Sequence, residues 1–299
     1  MTESGRRPVG VVGLGEMGLP IAANLARAGF DVFAHDTDSR ARDRAAASGI
    51  RVEPDLRVAA GESPTWLVVV PGDAVPAVVG VLGDALPASA VVIVCSSVDP
   101  PLMTDVNRVL KSRGIELCEA ALARGVPAAH DASLLLYCGG SVETLQQVTP
   151  VLAAIASDVV HVGQLGSGQT AKLLNNLLLW SNVAAVTETM RLAAAMGLDT
   201  DAIADALARG SGRSWVLDTW NRPRPMPDVE HDLARVLRLA DERSVELPLV
   251  RAVEAVMREV RTRKAAWLDG AGVERSMAEF VRENLTPAWT FDAEEVRWS

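Results

Sequence analysis

The chain has 299 residues, of which 49% are hydrophobic and 22% charged, and its formal net charge is −9 at pH 7. This length accommodates two domains with cores of their own, and the composition is typical of a globular rather than a disordered chain. The negative charge argues against nucleic acid or an anionic membrane surface as the main partner.

The number and spacing of the cysteines and the lack of long apolar runs indicate the cellular compartment. Cys95, Cys118 and Cys138 are an odd number at wide spacing, which indicates neither a disulfide framework nor a metal site. The apolar run before Gly13 is too short for a signal-peptide core, and asparagines and a glutamate interrupt the apolar helix after Lys172. We therefore expect a cytoplasmic protein without a metal and without a membrane span.

The chain opens with the pattern of a nucleotide-binding strand, turn and helix. A short apolar run over residues 8–12 leads into the turn, and a helical pattern over residues 19–28 follows and ends at Gly29. The turn consists of Gly13, Leu14, Gly15, Glu16, Met17 and Gly18. Gly13 permits a tight turn, Gly15 lets the backbone approach a pyrophosphate, and Gly18 lets the helix pack closely on the strand. We predict a dinucleotide site here; the alternative is a glycine-rich turn that binds nothing.

An acidic residue follows the second predicted strand. Residues 31–34 form this strand, and Asp36 lies at close to the spacing of about 20 residues expected for an acid that binds the ribose hydroxyls. Because its carboxylate would repel a 2′-phosphate, we predict NAD in preference to NADP. NADP stays open as the cofactor because Arg40 or Arg42 could bind a 2′-phosphate from the next turn. A further alternative is that Asp36 only caps a turn and binds no cofactor.

Four more apolar runs predict further strands, at residues 65–70, 90–95, 115–118 and 134–138. Continuous apolar strands of this kind suit a sheet that is covered on both faces. Pro71 and Ser97 follow two of these strands, and in an open α/β sheet the carboxyl ends of the strands line the ligand crevice. Both residues are therefore candidates for cofactor binding.

Helical periodicity replaces strand patterns after Gly166. Residues 167–196 predict one long helix that is apolar nearly all round and is therefore expected to be buried. At about 45 Å it is too long for one small domain to cover, so we expect a homodimer or a higher homo-oligomer. We predict domains at residues 1–164 and 165–299. Shorter helices are predicted at 201–209, 229–244, 249–266 and 273–284, with a proline-rich loop at 221–227 and an aromatic tail at 286–299 that packs onto another element.

The long helix carries a lysine and an asparagine at helical spacing. Lys172 and Asn176 are four residues apart among leucines, so they share one face. A free lysine has a pKa of about 10.4, and desolvation lowers it toward the range useful for proton transfer near pH 7. We predict Lys172 as an acid and base; the alternative is a structural lysine. Trp180, one turn further, is a candidate wall of the substrate pocket, although tryptophan is more often a core residue.

On these residues the chain resembles the β-hydroxyacid dehydrogenases, the family of 3-hydroxyisobutyrate and tartronate semialdehyde dehydrogenases that is similar to 6-phosphogluconate dehydrogenase. The resemblance is carried by residues 13–18 with Asn24, Leu25 and Gly29, by residues 96–100, and by residues 168–176. It implies a Rossmann-type α/β domain followed by an all-α dimerisation domain, an NAD or NADP cofactor, Lys172 as general acid and base, and Asn176 as its orienting partner.

Two segments depart from the family pattern. Residues 119–127 fall where the family usually has Asp-Ala-Pro-Val-Ser-Gly-Gly, and Ala123 replaces the serine that helps to hold the substrate carboxylate. Arg124 stands at the following glycine, with Gly125 next, and either grips an anionic substrate group or forms a surface salt bridge. His231 stands where the family commonly has a lysine near cofactor and substrate, which predicts an altered pH dependence, although a lone histidine on a helix is more often structural.

We therefore predict an NAD(P)-dependent oxidoreductase that transfers hydride between nicotinamide and a small hydroxyacid or aldehyde-acid. Imine reductases resemble the same family and are the nearest rival, although they usually lack the catalytic lysine. A non-catalytic dinucleotide-binding dimer is the alternative from a different class.

Overall fold

The structure of the chain, a computed structural model, describes residues 7–224, 226, 229–268 and 274–284. The chain divides into two units, residues 1–172 and 173–299. The first is an α/β sheet domain and the second is helical, so the predicted fold class is confirmed. The predicted division between residues 164 and 165 falls in the turn before the long helix. The predicted aromatic tail, residues 286–299, lies outside the described residues.

The first unit is built on a sheet whose strand order is β3-β2-β1-β4-β5-β6-β7-β8. Its strands are β1 Pro8–Val12, β2 Asp31–His35, β3 Arg51–Val52, β4 Thr65–Val68, β5 Val91–Val94, β6 Glu116–Ala123, β7 Leu134–Gly139 and β8 Ala156–Gly163. Strands β1 to β6 run parallel, β7 runs antiparallel to β6, and β8 runs parallel to β7. The order reverses between β1 and β4, which is where doubly wound sheets bind ligands.

Alternate residues of the strands feed two separate hydrophobic cores, one on each face of the sheet. On β5, for example, Val91 and Ile93 belong to one core while Val92 and Val94 belong to the other, and all four are fully buried. This double burial explains why the strands appear in the sequence as continuous apolar runs.

Helices connect the strands of the first unit. They are α1 Gly18–Arg27, α2 Ser39–Ala47, α3 Leu56–Ala60, α4 Val75–Ala85, α5 Pro100–Lys111, α6 Gly125–His130 and α7 Val142–Ala153. Side chains cap several of them: Asp38 accepts the backbone N–H of Arg40 at the start of α2, and Ser141 accepts that of Thr144 at the start of α7. Gly29 ends α1 with a φ of +92°, as its position after the helical pattern predicts.

The long helix, α8, spans Ser167–Ala195, and its prediction is confirmed to within one residue. The helices that follow are α9 Thr200–Leu207, α10 Trp215–Asp218, α11 Val229–Glu242, α12 Pro248–Leu268 and α13 Met277–Glu283. The last begins later than the predicted residue 273 because Ser276 and Glu279 form a capping box that fixes its start. Within the described residues, no helix is both long enough and apolar enough to cross a membrane.

Within the single chain, only part of α8 is buried. Leu173, Trp180 and Val183 are buried, but Leu174 is 51% exposed and Leu178 is 62% exposed in the single chain. The reason is geometric: residues four apart share one face, and in the single chain that face of α8 is turned to solvent.

The three cysteines lie on or directly after neighbouring strands of the sheet. Cys95 follows β5, Cys118 is on β6 and Cys138 is on β7, and all three are buried free thiols. Burial raises the pKa of each thiol, that of Cys138 to about 12. They act as small apolar core residues.

Candidate active site

The glycine turn between β1 and α1 has the shape that a dinucleotide needs. Gly13 has a φ of +95°, and a Cβ there would lie 2.2 Å from the Val69 carbonyl oxygen; a Cβ on Gly18 would lie 1.9 Å from the Gly13 carbonyl oxygen. A Cβ on Gly15, in contrast, would meet open space, and Gly15 is exposed. Close packing beneath the turn and an open backbone above it fit a pyrophosphate at the N-terminus of α1.

Asp36 lies beside this turn with both carboxylate oxygens in use. Oδ2 accepts the backbone N–H of Leu14 at 2.6 Å, and Oδ1 accepts that of Asp38 at 2.8 Å. The carboxylate is thereby fixed beside the glycine turn, in a position suited to the ribose hydroxyls. Arg42 lies next to it, where its Nη1 donates to the carbonyl oxygens of Asp36 and Thr37 at 2.7 and 3.1 Å.

The loop after β5 is tied to the first turn of α8 by Gln169. Its Nε2 donates to the Ser96 carbonyl oxygen at 2.9 Å, and its Oε1 accepts the Val98 N–H at 3.0 Å. Ser96 in turn accepts the Val70 N–H through its hydroxyl at 3.0 Å, which joins the loops after β4 and β5. Ser97, between the two clamped residues, is exposed and free to contact a ligand.

A buried carboxyl meets the same helical turn from the sheet. Glu119 on β6 has no exposed surface, and its Oε1 accepts the Gly168 N–H at 2.7 Å. Burial raises the pKa of Glu119, partly opposed by the N–H groups of Gly166, Gly168 and Gln169. Lys172 is half-buried and lies one helical turn after Gly168. The turn that carries Lys172 is therefore held at two points: Glu119 of β6 accepts its Gly168 N–H, and its own Gln169 side chain bonds to the loop after β5.

In the second unit, Asn176 belongs to a network centred on Asp232 of α11. Oδ2 of Asp232 accepts the Asn176 Nδ2 at 2.8 Å and the Trp180 Nε1 at 3.0 Å. Oδ1 of Asn176 accepts the Asn175 Nδ2 at 3.3 Å. Because its amide nitrogen is committed to Asp232, Asn176 has its oxygen left to receive another donor. Trp180 is 6% exposed, so it joins this network from within the core.

The segment that departs from the family, residues 119–127, covers the second half of β6 and the turn after it. Ala123 is buried, and both Arg124 and Gly125 have positive φ, +79° and +72°. Nη1 of Arg124 donates to the Ser133 carbonyl oxygen at 3.0 Å, to the Ser157 hydroxyl at 2.8 Å and to Asp158 at 2.8 Å. The structure thus shows the surface salt bridge for Arg124; a grip on substrate stays a prediction.

The remaining predicted cofactor residues lie at or near the surface. Pro71 and Glu16 are exposed, Met17 is half-buried at the N-terminus of α1, and His231 is exposed in the first turn of α11. Among the residues that the structure describes, no group of three histidine, cysteine or acidic side chains could hold a metal ion.

Three site residues were not assigned a role from the sequence: Glu119, Gln169 and Asp232. Their contacts span 49, 73 and 56 residues of chain, respectively. The only available signal was their position within segments already compared with the family, next to or within residues 119–127, 168–176 and 231–233.

Comparison with protein families gives two matches that together cover most of the chain. The model of the NAD binding domain of 6-phosphogluconate dehydrogenase matches residues 8–163. The model described as NAD-binding of NADP-dependent 3-hydroxyisobutyrate dehydrogenase matches residues 166–275.

Individual relatives agree with these matches. A mitochondrial 3-hydroxyisobutyrate dehydrogenase of Drosophila melanogaster is 31% identical over 233 residues, which cover 76% of this chain and 70% of the relative. The solved structure of Mycobacterium tuberculosis 3-hydroxyisobutyrate dehydrogenase with L-serine has a TM-score of 0.80 at 24% identity and covers 93% of this chain and 99% of that one. An imine reductase from Myxococcus stipitatus, in complex with NAD+, has a TM-score of 0.62 at 18% identity over 93% of this chain and 99% of that one. At these identities the two structures show the fold alone.

Proposed function

The chain belongs to the β-hydroxyacid dehydrogenase family of NAD(P)-dependent oxidoreductases, and on this premise we propose that it interconverts a short hydroxyacid and its aldehyde-acid or keto-acid with Lys172 as general acid and base. The observation that carries the proposal is the first turn of α8. Gln169 ties this turn to the exposed Ser97 loop, and Lys172 follows three residues later.

Lys172 handles the proton in this proposal. A bound reduced nicotinamide supplies the hydride to the carbonyl carbon. In that direction the Lys172 ammonium donates a proton to the developing alkoxide oxygen, and in the reverse direction the neutral amine removes the proton from the substrate hydroxyl. The half-buried position of Lys172 limits the water that competes for this proton.

Asn176 orients the reacting oxygen in this proposal. Its nitrogen is held by Asp232 at 2.8 Å, and its carboxamide oxygen, which accepts the Asn175 amide, has a second lone pair to accept a hydrogen bond from the substrate hydroxyl or from the ammonium. Lys172 and Asn176 lie four residues apart on α8 and so on one face of that helix. Fixing the angle of the hydroxyl in this way is a positioning contribution, not a proton transfer.

The substrate class follows from the relatives and from the altered loop. The Drosophila melanogaster relative is named a 3-hydroxyisobutyrate dehydrogenase, which makes a short hydroxyacid the first candidate. Ala123 provides no hydroxyl for the carboxylate, so we assign that contact to the backbone at Arg124 and Gly125, assisted by the guanidinium when it leaves Asp158. For the cofactor we propose NAD over NADP, because the carboxylate of Asp36 is fixed beside the glycine turn.

The test is turnover of NADH with a panel of short aldehyde-acids and, in parallel, cyclic imines. Lys172→Ala is expected to lower kcat on an aldehyde-acid by about 100-fold to 10,000-fold, with partial recovery on addition of small primary amines. Lys111, exposed at the end of α5, provides a matched control, and Lys111→Ala should leave kcat unchanged. Imine reduction that survives Lys172→Ala would refute the mechanism, and the absence of turnover with either panel would favour the non-catalytic alternative.

We also propose that the protein is a homodimer or higher homo-oligomer in the cytoplasm. The support is the row of exposed apolar residues at helical spacing on α8, Leu174, Leu178 and Leu192, continued by Met196 directly after the helix; they are 51% to 67% exposed in one chain. The free cysteines are consistent with a reducing compartment. Light scattering of the purified protein tests the assembly: a monomeric mass at micromolar concentration would refute it.

A further inference from the structure

Glu119 is a buried carboxyl for which the proposed mechanism has no use. It lies on β6, opposite Val94 of β5 on one side and Gly139 of β7 on the other. A Cβ on Gly139 would lie 2.1 Å from Glu119 Oε1, and a Cβ on Gly168 would lie 3.1 Å from Glu119 Cγ. Two glycines on different elements therefore open the slot that this one carboxyl fills.

The contact that Glu119 makes there is with the start of α8. The first N–H groups of any helix have no acceptor within the helix, and Gly168 is the second residue of α8. Glu119 supplies the missing acceptor from a strand 49 residues earlier, at 2.7 Å. The helix dipole favours the ionised form of a carboxyl at this place, which acts against the effect of burial on its pKa.

This turn is fixed on a second side by Gln169. Its carboxamide bonds to Ser96 and Val98 at 2.9 and 3.0 Å, so the turn is joined to the loop after β5 as well as to the centre of the sheet. Lys172 lies only four residues beyond Gly168, about 6 Å along the helix axis. Any shift of the first turn is therefore passed on to the Lys172 backbone nearly undiminished.

We propose that Glu119 is a positioning residue for Lys172: by accepting the Gly168 N–H it sets the place of the first turn of α8, and hence of the ammonium that transfers the proton. This inference rests on the proposed function of Lys172. A misplacement of about 1 Å costs about 100-fold in rate when a reacting group must be aligned, so a lost anchor here affects catalysis before it affects cofactor binding.

The geometry assigns this role to one acceptor oxygen. Oε2 of Glu119 is buried and has no hydrogen-bond partner among the described residues, so the anchor consists of Oε1 alone. A glutamine has the same length and an amide oxygen that can accept the same N–H, whereas an aspartate is one methylene too short to reach it. The two substitutions therefore distinguish the effect of the side-chain length at position 119 from the effect of its charge.

The experiment compares Glu119→Gln, Glu119→Asp and Glu119→Ala in the full-length protein with an aldehyde-acid and NADH. We measure kcat, the single-turnover rate of NADH oxidation, the Kd of NADH by fluorescence, and Tm. Glu119→Asp and Glu119→Ala should lower kcat and the single-turnover rate by about 10-fold to 100-fold, with the NADH Kd within twofold of wild type. Glu119→Gln should keep kcat, the single-turnover rate and the NADH Kd within about threefold of wild type. Glu116→Gln is the matched control, because Glu116 is at the exposed start of the same strand.

Each other result overturns the inference. A purely structural carboxyl would lower Tm in Glu119→Asp and leave kcat within twofold, and a need for charge would make Glu119→Gln as slow as Glu119→Ala. If Glu119→Ala does not fold, Gly168→Ala displaces the same turn with Glu119 intact, because its Cβ would lie 2.4 Å from the Tyr137 carbonyl oxygen, and it should show the same selective loss of kcat. Turnover retained by Lys172→Ala would refute the proposed function instead, which keeps the two failures distinguishable.

Discussion

Replacing Asp36 with asparagine should reverse or abolish the proposed preference for NADH over NADPH. In the native protein the carboxylate is anchored by the N–H groups of Leu14 and Asp38 at 2.6 and 2.8 Å, so it cannot swing away from a 2′-phosphate. At about 4 Å, one pair of unit charges repels by about 1 kcal/mol in water and by about 4 kcal/mol at an effective dielectric constant of about 20. A phosphate monoester carries about −1.5 to −2 charges at pH 7.

The repulsion that asparagine removes is therefore at least about 1.5 kcal/mol, which corresponds to about 10-fold in relative kcat/KM. Asparagine can keep only one of the two N–H contacts, because its NH2 group is a donor. That loss affects both cofactors alike and cancels in the ratio of their kcat/KM values. The assay is the kcat/KM for NADH divided by that for NADPH, measured at fixed low ionic strength because salt screens charges.

Two control variants make this measurement decisive. Asp38→Asn removes the same charge two residues further on, from an exposed side chain, and should change the ratio by less than about threefold. Arg42→Ala should also leave the ratio nearly unchanged, because Arg42 is bonded to the Asp36 and Thr37 carbonyl oxygens. The reasoning is refuted if Asp36→Asn changes the ratio no more than Asp38→Asn, or if Arg42→Ala selectively removes activity with NADPH.

Three further expectations follow from the contacts of single side chains. Arg124→Gly should be more stable than Arg124→Ala by about 1 kcal/mol in urea denaturation, because both lose the bond to Asp158 but only alanine keeps the cost of a φ near +79°; equal stabilities would contradict this. Asp232→Leu leaves the amide of Asn176 without its acceptor and should lower kcat by about tenfold or more at unchanged NADH Kd, whereas Trp180→Phe, which removes only the other donor, should stay within about threefold; equal losses would show that Asp232 does not act through Asn176. Because the pKa of Glu119 is raised in the folded chain, the folded state binds the carboxyl proton more tightly than the unfolded state does. The stability that Glu119 contributes is therefore greatest below about pH 4.5 and falls as the pH rises through the pKa of the folded state. The difference in unfolding free energy between wild type and Glu119→Gln, measured from pH 4 to 8, should therefore decline with pH, and a rising difference would mean that the carboxylate form is the one stabilised.

Features with a strong local signal could be predicted from the sequence. Strand β1 was predicted at its observed bounds because it is an apolar run that stops at a glycine turn. Helix α8 was predicted to within one residue because its periodicity continues over about eight turns. The glycine turn and Asp36 came from spacing alone, and the structure brings Leu14 and Asp36 into direct contact.

Elements without such a signal were missed. Strand β8 is an edge strand, and six of its eight residues are exposed, so it has no apolar run to detect. Helix α10 has four residues, too few for any helical period to appear. The exposure of Leu174 and Leu178 in the single chain could not be predicted, because the hydropathy of a helix does not show which face meets its own chain.

The residues of the site could largely be predicted from the sequence, but the hydrogen bonds that join them across the fold could not. The anchor between Glu119 and Gly168 joins β6 to α8, and no pattern along the chain connects them. The position of Arg124 did carry an unused signal: a glycine in the family pattern often marks a backbone with positive φ, and Arg124 adopts that conformation in spite of its side chain.

The three buried thiols at the centre of the sheet allow its opening to be measured by cysteine alkylation. A thiolate is the reactive form of cysteine, and with its pKa raised to about 12 the Cys138 thiol provides almost none at neutral pH. Cys95 and Cys118 are shifted in the same direction by burial. Alkylating reagents would therefore modify these cysteines only when β5, β6 and β7 separate. The rate of modification then measures how often this sheet, which carries both the cofactor loop and Glu119, opens.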